Sequence, residues 1–410
     1  MENLNELISG TFLLYSGKYD FHNESQPFQV YNNFYYLTGY DIPNFAILYN
    51  HTEKKYLYFF KYKDILWFDN DSYLKDLPSE ITILDINDIN KHINNTKKIF
   101  SLNNFTDLSN ITDLSNIIKF KITIDSNYID KICNKMRVIK NKKEIKNVDK
   151  ACKITSYAIT DIIKNCKIFN NEENIVSWFK KCILNYNIDK MAYLPICSNG
   201  EKNSILHNTY NRNIILDNNL ILLDIGCKFN NYCADITRTF PKSGKFTKFQ
   251  KIIYLIVLEC QKYSINLLKE NVYWKNIKIS SRLFMYKLLL KHKLVFKTEC
   301  EEKKIKVTYV FMPHSLGHTI GLDVHDKISL NNLEKLKENM IITIEPGVYF
   351  IEHLLKSNNL VNLKEIQKYM KIGGIRIEDT ILIQKSSCKV LSNCPKEIHK
   401  IESIIKKKKN

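Results

Sequence analysis

Carboxylic acids at the ends of strongly apolar, strand-like segments are the feature that most constrains how this chain can fold. Asp224 follows three consecutive apolar residues at 221–223, and Glu345 ends an alternating segment at 340–344. Continuous apolar segments are typical of strands buried on both faces. A buried carboxylate is very costly unless it is paired or binds a metal ion. The pattern therefore predicts strands whose ends converge where positive charge is held.

Two more acids lie in segments of the same kind. Asp235 begins the strand-like segment after Asp224, so a hairpin would bring the two carboxylates together. Thr237 would share the face of Asp235, because strand side chains alternate, and Glu378 lies at 373–379 beside β-branched residues. Taken singly, each acid would more often be an ordinary surface residue. Together the four carboxylates carry four negative charges, which two divalent cations would neutralise.

The histidines supply a neutral ligand for such a site. Three of the 10, His314, His318 and His325, fall within a span of twelve positions that also contains glycines. Glycines allow backbone and side chains to crowd together. A lone histidine is more often a satisfied core residue, but a group of three beside four candidate acids favours catalysis.

Helices surround these segments. From Lys142 the apolar residues recur at helical intervals as far as Ile162, which predicts an amphipathic helix with one buried face. Thr247 is a suitable N-cap for a second helix, whose predicted buried face begins with Phe249. Because helices and strands both occur here, we predict an α+β fold for this part of the chain.

The composition changes near residues 136–140, which suggests two domains. The earlier residues show short strand-like and helical segments separated by Asn and Asp, with a turn at Gly39 and a short duplication at 106–117. We place the first domain at 1–128 and the second, which carries the acids and histidines, at 129–410.

The formal net charge of +18 raises the question of an acidic partner, either nucleic acid or a membrane surface. The charge is spread along the chain as lysine, and only residues 406–409 form a run, so we expect solvated surfaces and no nucleic-acid role. No apolar segment is long enough to span a bilayer. The 11 scattered cysteines lack a Cys-x-x-Cys pair, which fits free thiols in a cytoplasmic protein.

The motifs taken together resemble those of the pita-bread metallopeptidases, the family that includes prolidase (Xaa-Pro dipeptidase) and aminopeptidase P. The matching segments are Asp224-Ile225-Gly226, Asp235-Ile236-Thr237-Arg238-Thr239-Phe240, His314-x-x-x-His318, Gly321-x-Asp323-Val324-His325-Asp326, Glu345-Pro346-Gly347 and Arg376-Ile377-Glu378-Asp379. Phe34–Tyr40 is similar to part of the family's N-terminal domain. The resemblance implies a pita-bread catalytic domain after a smaller, creatinase-like α/β domain, and a homodimer.

By position, the resemblance also implies roles for individual residues. The five metal ligands would be Asp224, Asp235, His318, Glu345 and Glu378, with Asp235 and Glu378 bridging two ions. Thr237 would support the ligands. The remaining active-site residues would be His207, His314, His325 and Arg376.

The resemblance implies two divalent ions, and an oxygen-rich set with one imidazole suits Mn²⁺, while Zn²⁺, Co²⁺ or Fe²⁺ could also occupy it. Two such ions activate a water and polarise the scissile carbonyl. Glu345 is the candidate to take the water's proton, and His325 or His314 would stabilise the developing oxyanion.

The substrate is predicted to be an Xaa-Pro dipeptide, because the long segment between Glu345 and Gly373 is similar to that of prolidase. Aminopeptidase P, which removes the first residue of Xaa-Pro-Yaa peptides, is the alternative. The segment between Asp326 and Glu345 lacks the arginine that eukaryotic prolidases carry there. Arg376 with Lys335 or Lys337 would then hold the substrate carboxylate.

A second alternative is a pita-bread protein without catalysis that binds nucleic acid or chromatin. The positive charge would suit that role. Such proteins typically lose metal ligands, and all five are present in this sequence, so an enzyme is favoured.

Overall fold

The computed structural model describes residues 11–17, 28–50, 55–60, 70–75, 77–79, 81–93, 98–102 and 123–406. The chain forms two compact units, Met1–Arg137 and Val138–Asn410. The domain boundary predicted after residue 128 falls inside the helix Ser126–Met136. This helix belongs to the first unit, because its Ile129 and Cys133 pack in that unit's core. The duplication at 106–117 and the lysines after 406 lie outside the described residues.

The described part of the first unit is a mixed sheet with short helices. Its strands are β1 (Thr11–Tyr15), β2 (Phe45–Asn50), β3 (Lys55–Phe60), β4 (Ile83–Asp85), β5 (Lys98–Ser101) and β6 (Thr123–Asp125). They lie in the order β4-β3-β2-β1-β5-β6. The central β1 is antiparallel to β2 and parallel to β5. Its helices are α1 (Asn32–Thr38), α2 (Asn70–Leu74), α3 (Ile89–Ile93) and α4 (Ser126–Met136).

The first unit's sheet is buried on both faces. Phe12 and Leu14 of β1 pack in one cluster of buried side chains, whereas Leu13 packs in another. Alternating residues of one strand reach opposite faces, so the sheet has an apolar layer on each side, as the α/β expectation requires. The predicted turn is confirmed at Gly39, which ends α1 with a left-handed φ of 77°.

The second unit contains the longer helices. They are α5 (Lys142–Asn165), α6 (Glu172–Leu184), α7 (Lys248–Asn266), α8 (Trp274–Lys291), α9 (Glu301–Phe311), α10 (Glu352–Lys356), α11 (Leu363–Ile366) and α12 (Ile398–Lys406). Short 3-10 helices cover Cys166–Ile168, Gly200–Ser204, Leu330–Asn332 and Met370–Ile372.

Both helices predicted in this unit are confirmed. Asn141 caps α5 and Thr247 caps α7, each in a capping box with the residue three positions on. The predicted buried face of α7 is wrong at Phe249, whose side chain is exposed and meets the ring of Tyr369 edge-on. The contact with Tyr369, which lies outside the helix, allows Phe249 to lie at the surface.

The strands of the second unit form two three-stranded sheets and two pairs. They are β7 (Ile196–Asn199), β8 (Leu220–Ile225), β9 (Lys228–Phe229), β10 (Tyr232–Cys233), β11 (Ile236–Pro241), β12 (Ile341–Ile344), β13 (Gly347–Tyr349), β14 (Gly374–Arg376), β15 (Asp379–Ile383) and β16 (Cys388–Val390). The sheets run β11-β8-β7 and β12-β15-β16, and the pairs are β9 with β10 and β13 with β14.

The strand register places the predicted site residues side by side. The expected hairpin is formed by β8 and β11, in which Thr237 pairs with Asp224. The two sheets meet where the amide of Glu378 donates to the carbonyl of Thr237 at 3.1 Å. Gly317 lets the histidine segment approach β12, since a Cβ on it would lie 1.9 Å from the carbonyl oxygen of Thr343.

Candidate active site

Four carboxylates and one imidazole converge in the second unit. Nε2 of His318 lies 3.4 Å from Asp235, 3.8 Å from Glu345 and 3.9 Å from Glu378. One ligand atom each from Asp235, His318 and Glu378 lies within 4.8 Å of the other two. Asp224 joins this group through Tyr193, whose hydroxyl lies 2.5 Å from Asp224 and 2.6 Å from Asp235. The structure therefore brings together all five predicted metal ligands.

The tautomer of His318 suits a metal ligand. Its Nδ1 lies 3.1 Å from the carbonyl oxygen of Thr319. A carbonyl can only accept, so Nδ1 carries the proton and Nε2 keeps its lone pair toward the carboxylates. A backbone partner of this kind orients metal-binding histidines.

The electrostatics of the cluster favour cations. Asp224, Asp235 and Glu378 are 7%, 5% and 2% exposed. Burial and neighbouring carboxylates raise the pKa values of Asp235, Glu345 and Glu378 well above their ordinary values. Each of these acids is therefore hard to ionise beside the others. Divalent cations would reverse that cost, and the oxygen-rich donor set with one imidazole fits them.

Arg376 and Thr237 support the ligands. The Thr237 hydroxyl donates to Glu378 at 2.8 Å and accepts from Nε of Arg376 at 3.2 Å. The same arginine donates through Nη1 to the hydroxyl of Tyr349 at 2.9 Å and through Nη2 to Asp224 at 2.6 Å. All three of its guanidinium nitrogens are thus engaged within the site.

A second arginine lies behind the ligands. Arg238 is fully buried and donates to the backbone carbonyls of Thr237 at 2.9 Å and Glu378 at 2.6 Å. Its Nη2 lies 2.6 Å from Asp379, which also pairs with Lys396 at 2.5 Å. Burial alone would raise the pKa of Asp379, but these two cations more than offset it and lower the pKa. The network fixes the backbone that presents Glu378.

The other histidines differ in their hydrogen bonding. Nδ1 of His314 donates to the carbonyl of Ser315 at 2.8 Å, and its Nε2 accepts from the hydroxyl of Tyr349 at 3.1 Å. His325 is exposed, its ring lies 4.0 Å from that of His318, and no described residue hydrogen-bonds to it. Desolvation first, with nearby cationic groups, lowers the pKa values of His314 and His325 to about 3 and about 4. Both rings are neutral at neutral pH.

The cluster opens into a cavity of about 410 Å³. Its lining residues include the predicted ligands and His207, His314, His325 and Arg376. Among the described residues, no lysine lines it. Lys335 and Lys337 were expected near the substrate, but the structure does not bring them to the cavity. Lys335 places its ammonium 4.8 Å from the ring of Tyr273, with which its backbone also pairs, and Lys337 is exposed.

Three site residues escaped the sequence analysis, namely Tyr193, Tyr349 and Arg238. Arg238 lies inside a recognised motif, one position after Thr237, and Tyr349 lies two positions after the Glu345-Pro346-Gly347 motif, so their positions were a usable signal. Tyr193 lies far before Asp224 in sequence, and no local pattern marks it.

Comparison with known proteins agrees with this geometry. The model of metallopeptidase family M24 matches residues 146–385, more than half of the chain. A probable Xaa-Pro aminopeptidase of Pyrenophora tritici-repentis is 31% identical to this chain. The alignment includes 97% of this chain and 92% of the relative. An uncharacterised peptidase of Saccharomyces cerevisiae is 32% identical, and that alignment includes 93% of this chain and 76% of the relative.

Solved structures show the same fold. Aminopeptidase P from Escherichia coli, in complex with the inhibitor Pro-Leu, superposes with a TM-score of 0.81 at 25% identity, covering 98% of this chain and 96% of the other. Icp55 from Saccharomyces cerevisiae superposes with a TM-score of 0.79 at 27% identity, covering 98% and 95%. The fold is thus that of the pita-bread metallopeptidases. The chain belongs to metallopeptidase family M24 and is a metal-dependent peptidase.

In the described part of the chain, no helix is long and apolar enough to cross a membrane. The cytoplasmic location and the homodimer expected from the sequence stay predictions.

Proposed function

We propose that this peptidase removes the N-terminal residue from peptides whose second residue is proline. Relatives with full-length similarity carry the name Xaa-Pro aminopeptidase. The dipeptidase hypothesis rests on the length of the segment after Glu345. The aminopeptidase hypothesis is supported by the names of the relatives and by the residues that line the cavity.

The observation that carries this proposal is that the described residues lining the cavity include no lysine and a single arginine, whose guanidinium is already hydrogen-bonded. A dipeptidase must hold the terminal carboxylate of its substrate, which calls for a charge-assisted donor. Arg376 is the one lysine or arginine among the described lining residues, and its three nitrogens already donate to Thr237, Tyr349 and Asp224. A peptide bond at that place, as in a longer substrate, needs no such partner.

The predicted ligands would hold two divalent ions, for which Mn²⁺ fits the donor set best. Bound there, the ions supply a water activated at neutral pH and polarise the scissile carbonyl. Asp235 and Glu378 would be the ligands shared by both ions, as the family resemblance implies, and they lie 3.4 and 3.9 Å from Nε2 of His318.

Glu345 would act as the general base and acid of the reaction. Its side chain is 18% exposed and lines the cavity. It would accept the proton of the attacking water and return it to the proline nitrogen as the bond breaks. This transfer matters for an Xaa-Pro bond, since the proline nitrogen carries no hydrogen and must gain one to leave as an amine.

His325 is better placed than His314 to donate to the developing oxyanion. In His314 the Nδ1 proton is given to Ser315 and Nε2 accepts from Tyr349, so this ring has no free donor. The ring of His325 is neutral and keeps one N–H without a partner among the described residues. A positioned donor of this type stabilises charge that forms in the transition state.

Cleavage of Xaa-Pro-Yaa tripeptides and Xaa-Pro dipeptides by the Mn²⁺-loaded protein tests the proposal. We expect the tripeptide to have the higher kcat/KM. Blocking the C-terminus of the tripeptide as an amide should change the rate little, because no lysine among the described residues lines the cavity and Arg376 already donates to Thr237, Tyr349 and Asp224. A preference for dipeptides with a free carboxylate would instead establish the prolidase reading.

A further inference from the structure

Arg282 of α8 is a buried cation that the proposed chemistry does not use. Arg282 is 5% exposed. No carboxylate of the described residues lies within 4.0 Å of its guanidinium. The buried Arg238 and Arg376, by contrast, pair with Asp379 and Asp224. Burial of an unpaired charge is costly, and this burial lowers the pKa of Arg282 to about 10, so the group stays charged at neutral pH.

The contacts of Arg282 converge on one short segment. Nη2 donates to the backbone carbonyls of Met312 at 3.2 Å and His314 at 2.9 Å, and Nη1 donates to the hydroxyl of Thr308 at 3.2 Å. The ring of Tyr309 covers the guanidinium, with 3.4 Å from Cζ to the ring centroid. Met312 follows the C-terminal end of α9, where the helix dipole favours a cation.

We propose that Arg282 is the positioning residue of His314. It holds the backbone carbonyl of His314 itself and that of Met312 two positions earlier, so it fixes the direction from which the imidazole enters the cavity. From there the ring reaches Ser315 and Tyr349. His314 is thus linked to two arginines, since Arg282 holds its backbone carbonyl and Arg376 donates to the same Tyr349 hydroxyl that its Nε2 contacts.

The planar fork explains why arginine is needed. One nitrogen bonds two carbonyls while the other reaches Thr308, and the flat face stacks on Tyr309. A lysine keeps the charge but lacks the fixed geometry and the stacking face. Arg282→Lys should therefore leave the segment 312–318 less well held without adding an unpaired charge.

Hydrogen exchange measured by mass spectrometry tests the positioning role without any assay of activity. In the full-length Arg282→Lys protein we expect faster exchange by about tenfold in peptides that cover 312–318, with other peptides unchanged. The control is Arg212→Lys, which alters an exposed Arg–Tyr pair whose guanidinium lies 5.6 Å from the ring of Tyr210. Unchanged exchange at 312–318, or faster exchange spread over the whole second unit, would overturn the inference.

The effect on turnover rests on the proposed function. His314 and Ser315 of the segment 312–318 line the cavity, and a misplacement of about 1 Å in an active site can cost about 100-fold in rate, so we expect kcat/KM of Arg282→Lys to fall by about 10- to 100-fold at unchanged metal content. Tyr309→Leu removes the stacking ring with its hydroxyl but keeps the guanidinium and its bonds to Met312 and His314, so it gives a second, milder variant if the lysine protein folds poorly. It should speed exchange at 312–318 to a smaller extent. Wild-type protein that fails to cleave Xaa-Pro-Yaa would contradict the function and leave the exchange result standing.

Discussion

Replacement of Thr237 by valine removes one hydroxyl from the support of the metal site and preserves the shape of the side chain. Thr237 is fully buried on β11, and its hydroxyl joins Glu378 to Arg376. The variant leaves one oxygen of Glu378 without its donor and Nε of Arg376 without its acceptor. Glu378 and Arg376 are only 2% and 4% exposed, so a replacement partner could come only from water in the cavity that both line.

The expected magnitude follows from these two contacts. A hydrogen bond to a charged group contributes about 1.5–3 kcal/mol, and loss of an outer partner of a metal ligand typically weakens metal affinity by about 10- to 100-fold. We therefore expect the metal dissociation constant of Thr237→Val to rise by that factor. The measurement is a Mn²⁺ titration of chelator-stripped protein by calorimetry, with activity followed in parallel.

Thr239→Val is the matched control, because Thr239 lies two positions further along the same strand and is equally buried. Its hydroxyl contacts only the backbone of Arg376, at 3.0 and 3.3 Å. This variant should lose stability with little change in metal affinity. Equal metal dissociation constants for Thr237→Val and the wild type would refute the reasoning.

Three further predictions concern neighbouring groups. Asp235→Asn removes a shared charge without changing shape, so mass spectrometry of purified protein should find at least one ion lost, and full metal content would count against the bridge. Arg376→Lys should lose metal as well as activity, because Asp224 loses the guanidinium that lies 2.6 Å from its carboxylate. Loss of activity at full metal content would indicate a contact with the substrate instead. The pKa of Asp379 is lowered in the folded state, so its contribution to stability is present above its unfolded pKa of about 3.9 and is lost as the pH falls through the folded value. In chelated protein, Asp379→Asn should unfold with a shallower acid dependence than the wild type, and equal slopes would contradict this.

The predictable part of the site is the part in which chemistry repeats along the chain. A carboxylate after a buried apolar strand is rare for an energetic reason, so Asp224 and Glu345 could be found without a structure. The hairpin that brings Asp235 beside Asp224 also follows from strand patterning. The grouping of His314, His318 and His325 then marks the site as catalytic.

The unpredictable part depends on contacts between distant segments. Tyr193 reaches two of the predicted ligands, Asp224 and Asp235, from a segment with no motif of its own. Arg282 lies on α8, yet its side chain holds the backbone carbonyl of His314, 32 residues later in the chain. Lys335 was a reasonable candidate for the cavity by position alone, but tertiary packing turns it onto Tyr273. Such pairings are set by the tertiary fold, which local propensity does not contain.

A metal titration of peptide cleavage tests most directly whether this chain is the proposed two-metal aminopeptidase. Chelator-stripped protein is given increasing Mn²⁺ and an Xaa-Pro-Yaa tripeptide, and the products are identified by mass spectrometry. We expect release of the free first residue and the Pro-Yaa dipeptide, with a rate that becomes maximal at two bound ions per chain. Full activity with one ion or none, or cleavage on the other side of proline, would contradict the account.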